Sequence, residues 1–214
     1  MRAPEAFLLG DSAVILAWEQ KIDPELHRHI VGFAGSLKAS PFAGFIEAAP
    51  AYASLAVHFD LRLAPDNIVD VLLDHWHARP PIVANMTTRT IRIPVRYDGP
   101  DLAELSIATG LSPAEIAKIH SGRTYRVYML GFLPGFAYMG EIDERIRADR
   151  KATPRTKVPA GSVGIAGRQT GVYPLESPGG WQLIGTTSLV LFDPNAEEPA
   201  LLRAGDEVVF EAID

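Results

Sequence analysis

Residues 153–185 read TPRTKVPAGSVGIAGRQTGVYPLESPGGWQLIG, and their texture decides the fold. Gly or Pro recurs every few residues, and the apolar runs between them are short. Helix interiors exclude Pro and disfavour Gly, so these runs are not helical. Closely spaced turn signals around short strands predict a β-barrel or sandwich. The texture begins at Thr124, and YRVYML, SVGIAG and TSLVLF are its strand candidates. Pro178-Gly179 fits the central positions of a type II turn. Gly164, Gly167 and Gly171 read as turn glycines, because their spacing is not the GxGxxG of a dinucleotide site.

Working back, IRIPVRY is a further strand, and SPAEIAKIHSG is a helix. Ser112, Pro113 and Glu115 stand at N-cap, N1 and N3, a capping box with a Pro start. The first 85 residues are different in kind. FLL and SAVILAW flank a Gly-Asp turn as a hairpin. Asp23-Pro24 opens a helix whose Leu26, Ile30, Phe33 and Leu37 recur at helical spacing. FIEAA and AYASLAVHF follow as strands, and a second helix starts at Asp66 with Ile68, Val71, Leu72 and His75 on one face. This pattern predicts a small sheet with helices on one side. The polar stretch NMTTRT (85–90) marks a domain boundary, giving domains 1–88 and 89–214.

The totals bound the function. The 214 residues carry 20 Lys and Arg against 26 Asp and Glu, a net charge of −6, which argues against a general nucleic-acid binder. Cysteine is absent, which removes disulfides and thiolate metal sites. The N-terminal apolar stretch is broken by Gly10 and Asp11, unlike a signal peptide. No run approaches the roughly 20 apolar residues of a membrane span. A cytoplasmic protein is expected, with no membrane partner. His75 and His77 lie two apart on a helix and do not share a face for a metal.

GFLPGFAYMG (131–140) places large aromatics on a segment kinked by Pro134 and Gly135. If extended, Phe132, Pro134, Phe136 and Tyr138 share one face, and Gly131, Leu133, Gly135 and Ala137 the other. The aromatic face either fills a core or lines a groove. Trp181 and Gln182 raise the same choice beside the bare backbone of Gly179-Gly180. Tyr138 and Trp181 carry a polar handle and are expected to line a pocket, while Phe136 fits either role. Arg155 and Lys157 are surface charges or contacts to a carboxylate or phosphate. His120 either closes its helix ahead of the Gly122 cap or acts as a cleft imidazole.

Together, GFLPGFAYMG and the 153–185 stretch resemble the B subunit of bacterial 5-oxoprolinase, a family also described as sporulation-kinase inhibitor or allophanate hydrolase subunit 1. HSGRTYRV before the block and LLRAGDEV after it extend the resemblance over nearly the whole chain. It implies an α+β architecture, a small N-terminal α/β sandwich followed by a cyclophilin-like β-barrel. It implies one component of an ATP-dependent hydrolase, inactive alone, that opens 5-oxo-L-proline to L-glutamate. Its partners would be a C-like subunit, of the allophanate hydrolase subunit 2 family, and an A-like subunit. ATP would belong to the complex, with no metal or biotin attachment in this chain. In that setting Phe132, Phe136, Tyr138 and Trp181 would wall the substrate, His120 and Gln182 would supply polar contacts, and Arg155, Lys157 and Arg168 are candidates for phosphate charge. The family also implies two alternatives: a histidine-kinase inhibitor, and a carboxyltransferase component of a urea carboxylase or allophanate hydrolase system.

Overall fold

The computed structural model describes residues 3–78 and 88–214. The chain divides into two compact units, Met1–Thr87 and Thr88–Asp214. Residues 85–87 of the NMTTRT stretch lie outside the described residues.

The N-terminal unit is a four-stranded antiparallel sheet of order β1-β2-β4-β3 with two helices. Strands β1 (Glu5–Leu8) and β2 (Ala13–Ala17) form the expected hairpin. Asp23 caps helix α1 (Pro24–Ala39), its carboxylate accepting from the amides of Glu25 and Leu26. β3 (Phe45–Pro50) and β4 (Ser54–Phe59) follow, then α2 (Ile68–Ala78). Alternate residues Val14, Leu16, Leu55 and Val57 meet Leu26, Ile30, Phe33 and Leu37 of α1 in one core. Each fully buried aliphatic side chain there contributes about 1.5–3 kcal/mol. On α2 the core takes Ile68, Leu72 and Trp76, with Trp76 against Trp18 and Phe33 at ring distances of 5.0 and 5.2 Å. Trp76 occupies the place expected for His75, which lies at the edge of Phe33 and meets the Ser36 hydroxyl.

The C-terminal unit is a closed barrel of order β10-β7-β6-β13-β5-β12-β9. Its strands are β5 (Thr90–Arg96), β6 (Thr124–Leu130), β7 (Ala137–Gly140), β9 (Ser162–Ala166), β10 (Gln169–Val172), β12 (Gln182–Thr186) and β13 (Glu207–Ile213). β13 runs parallel to β5, and the other paired neighbours are antiparallel. Closure removes the exposed edges that an open sheet would carry. A two-stranded ribbon, β8 (Arg155–Val158) with β11 (Ser177–Gly179), is separate from the barrel sheet. Helices α3 (Leu102–Thr109) and α4 (Pro113–Ser121) follow β5, and α4 starts with the complete Ser112–Glu115 capping box.

Three local expectations fail, the last in part. Pro178 and Gly179 lie in β11, not at the centre of a type II turn. Glycine is required at 179 because a Cβ there would sit 2.4 Å from the Tyr173 hydroxyl. TSLVLF forms no strand: β12 ends at Thr186, and within the segment only Phe192 makes an isolated bridge, to Ala200. Of the GIAGRQTG glycines, Gly167 alone turns the chain, at φ +57°, while Gly164 and Gly171 lie within strands. Among the described residues no helix is long and apolar enough to cross a membrane.

Candidate functional site

Strand alternation gives the barrel wall two faces. Ala137, Met139, Val163, Ile165, Val172 and Ile184 point inward and join the barrel core. Their neighbours point outward. On that outer face Phe136, Ala166, Tyr173, Trp181 and Leu183 form a second apolar cluster, with Tyr138 packed against it. Phe136 is its hub, meeting Tyr138, Tyr173 and Trp181 edge to face at 4.9, 5.3 and 5.4 Å. This is the favoured aromatic geometry. Gly171 lies beneath the hub, where a Cβ would come 3.0 Å from both the Phe136 ring and the Ala137 carbonyl.

Phe132 reaches the same cluster by another route. Residues 131–136 form the loop between β6 and β7, tied by Gly131 N–H to Phe136 O at 3.1 Å and Phe136 N–H to Leu133 O at 3.0 Å. The segment is not extended, so the parity reading holds for Phe136 and Tyr138 but not for Phe132. Phe132 has φ +69°, a left-handed conformation that costs a bulky residue energy. It stands 58% exposed with its ring 5.6 Å from Phe136.

The cluster is closed below and open above. Phe136 and Tyr173 are each 1% exposed and Trp181 is 6% exposed, so these three are structural as well as lining. Over them lies a cleft of about 280 Å³ with Phe132, Tyr138, Gln169, Asp149 and Arg150 on its walls and rim. Burial pushes the hydroxyls of Tyr138 and Tyr173 above the usual phenol range, and the Arg150 charge partly offsets this. Both are therefore neutral at physiological pH. The cleft offers aromatic faces, phenols, one amide and charge at its rim, a suitable lining for a small, partly apolar molecule.

The other candidates from the sequence disperse. Gln182 donates to the Asp149 carbonyl at 3.1 Å and lines a neighbouring cavity of about 580 Å³ with Glu104, Thr109 and Lys151. Arg155 is consumed by structure: Lys151 and Arg155 bind the buried carboxylate of Asp101, at 2.9 and 2.5 Å. Burial alone would raise the Asp101 pKa, but these cations and the Leu183 amide hold it below the carboxylate range. Lys157 pairs with Glu176 on the surface at 3.0 Å, and Arg168 with Glu141 at 2.9 Å.

His120 is not a cleft residue. It is fully buried in the barrel, its ring 4.6 Å from Phe210. The Thr170 hydroxyl donates to Gly164 O at 3.1 Å, so His120 Nε2 donates to Thr170 Oγ1 at 2.8 Å. Nδ1 then accepts from the Tyr97 hydroxyl at 2.7 Å. Desolvation lowers its pKa to about 3, fixing a neutral imidazole. The sequence reading missed Tyr173, Gln169 and Arg150. Tyr173 and Gln169 share the two-residue period of Gly171, a usable signal. Arg150 lies in the charged run RIRADRKATPR and carries no local mark.

A family model described as carboxyltransferase domain, subdomain C and D, matches residues 4–202. The chain is 44% identical to the 5-oxoprolinase B subunit of Bacillus subtilis (strain 168), over 96% of this chain and 91% of that protein. It is 42% identical to the 5-oxoprolinase B subunit of Escherichia coli O157:H7, over 98% and 96% respectively. The solved structure of TTHA0988 superposes on 94% of this chain with a TM-score of 0.85 at 39% identity, and the chain spans 40% of that protein's length. With near-complete coverage from sequence and the barrel matched in three dimensions, this chain belongs to the carboxyltransferase domain, subdomain C and D, family that includes the 5-oxoprolinase B subunits.

Proposed function

We propose that this chain is the B subunit of an ATP-dependent 5-oxoprolinase, opening 5-oxo-L-proline to L-glutamate with A-like and C-like partner subunits. The observation that carries the reading is the 40–44% identity, across nearly the full chain, to three proteins named as 5-oxoprolinase B subunits. The aromatic cleft supports it. A five-membered lactam is compact and flat, and it fits against edge-to-face rings with neutral phenols to meet its amide. Phe132, held out on a left-handed backbone, is the part of the wall that a partner would cover.

Among the described residues, the aromatic cleft and the cations around it do not fit ATP. A triphosphate requires several converging cations or a Gly-rich amide cradle at a helix start. Arg155 and Lys151 are committed to Asp101, Lys157 and Arg168 are paired elsewhere, and the aromatic cleft offers Arg150 alone. Nucleotide handling is therefore assigned to the rest of the complex, and this chain holds and orients the lactam. The two compact units are proposed as separate domains with the boundary near residue 88.

Co-expression with A-like and C-like subunits, followed by assay of 5-oxoproline-dependent ATP hydrolysis and glutamate release, tests the function. Activity requiring all three chains is expected. A purified three-chain complex that hydrolyses no ATP in response to 5-oxoproline would overturn it.

A further inference from the structure

The carboxylate of 5-oxo-L-proline calls for a cation at the cleft, and the structure narrows the choice. Around it, Arg155 and Lys151 are spent on Asp101, and Arg168 is paired with Glu141. Arg150 is different. Among the described residues its guanidinium makes no hydrogen bond or ion pair, although it is exposed on the cleft rim. Its backbone is nevertheless fixed on both sides. Ala148 O accepts from Gly167 N–H at 2.7 Å, Asp149 O accepts from Gln182 Nε2 at 3.1 Å, and Lys151 N–H donates to Gly180 O at 2.7 Å. The chain thus ties residues 148, 149 and 151 to Gly167, Gln182 and Gly180 beside the cleft and, among the described residues, leaves the side chain of 150 free. It lines the cleft with Tyr138 and Tyr173, and its charge lowers the pKa of both hydroxyls against the larger, raising effect of their burial.

We propose that Arg150 is the carboxylate anchor of the aromatic cleft, which therefore selects a neutral ring bearing a single carboxylate. This rests on the 5-oxoprolinase reading and deepens it. A guanidinium fork matches a carboxylate in a bidentate pair, and the ring then lies back over Phe136, Tyr138 and Trp181. Asp149 also lines the cleft, so its negative end disfavours a second carboxylate. Opening the lactam breaks the ring C–N bond, adds water across it and yields an ammonium and a second carboxylate. The product is then both too charged for the aromatic wall and repelled by Asp149, which favours its release.

The test uses three probes: 5-oxo-L-proline, 2-pyrrolidinone (the same ring without its carboxylate) and L-glutamate. Binding is followed by perturbation of the Trp181 indole signal in the full chain, alone and with its partners. Wild type should bind 5-oxoproline at least about tenfold more tightly than 2-pyrrolidinone or glutamate. Arg150→Gln should erase that preference, leave 2-pyrrolidinone binding unchanged and keep the wild-type melting temperature. Arg150→Lys should restore part of it. In the active complex, Arg150→Gln should raise KM for 5-oxoproline about tenfold or more and change kcat little. Wild type without a preference for the carboxylate-bearing ring, or a preference that survives in Arg150→Gln, overturns the anchor. A wild-type complex without 5-oxoproline-dependent turnover instead overturns the function, and the binding preference still decides the anchor.

Discussion

Two aromatic groups stand back to back across strand β10. Thr170 faces inward, to His120, whose ring packs on Tyr125 and Phe210, while Gly171 faces outward, to Phe136 and Trp181. The inner group is closed. Each His120 nitrogen has a partner, and the relay from Tyr97 through His120 and Thr170 ends on the Gly164 carbonyl. The outer group is equally aromatic but is left open above, with a cation at its rim that has no partner among the described residues. Aromatic content therefore does not separate core from site. Completeness of burial and of hydrogen bonding does: a satisfied, dry group has nothing left to offer a ligand.

Substitutions separate the closed group from the open one. The largest losses are expected in the closed elements. His120→Ala removes a buried ring and leaves Tyr97 and Thr170 without their partner, and Phe136→Ala removes the hub of the outer cluster. Each should cost about 3–5 kcal/mol in denaturant unfolding. A loss below about 1 kcal/mol for His120→Ala would mean that the inner group is not a structural core.

Asp101→Ala comes next, at about 3 kcal/mol. This is the low end for a broken buried ion pair, because Arg155 and Lys151 keep part of their hydration. The same denaturant titration checks it, and a neutral outcome would release Arg155 for the cleft.

Acid gives a smaller and graded effect. The His120 pKa is about 3 in the folded protein and about 6.5 when unfolded, so the unfolded chain takes up the proton first. The stabilisation is complete above pH 6.5 and declines as pH falls toward 3, by up to about 1.4 kcal/mol per pH unit. Between about pH 6.5 and 5 that amounts to about 2 kcal/mol. Asp101, held below its ordinary value, adds its loss only below the normal carboxylate pKa of about 3.9. A stability curve flat between about pH 6.5 and 5 would show that His120 is hydrated.

The smallest effect on folding is expected from Tyr138→Phe, within about 0.5 kcal/mol, because the ring of this half-buried residue remains and only a hydroxyl is lost. Turnover of the assembled complex should fall much further. Equal effects on melting and turnover would return Tyr138 to the core.

Legibility in the sequence followed the range of the interaction. The Asp23 cap, the Ser112–Glu115 capping box and the Gly167 turn each involve residues within about four positions, and all were readable. Gly179 was misread because its requirement comes from Tyr173 in another segment, not from its own turn. TSLVLF has strand composition, but among the described residues no strand lies beside it to pair along its length.

The sequence alone specified an acidic, cysteine-free α+β chain, its helix starts, its Gly- and Pro-punctuated barrel and, of the outer cluster, Phe136, Tyr138 and Trp181 but not Tyr173. Tertiary structure decided which polar groups were free to act. His120 meets Thr170 across 50 residues, and Arg155 meets Asp101 across 54. Those partners exist only once the barrel closes. A charge or an imidazole is defined chemically by what satisfies it, and that long-range pairing made His120 inert, bound Arg155 into the structure and left Arg150 open on the cleft rim.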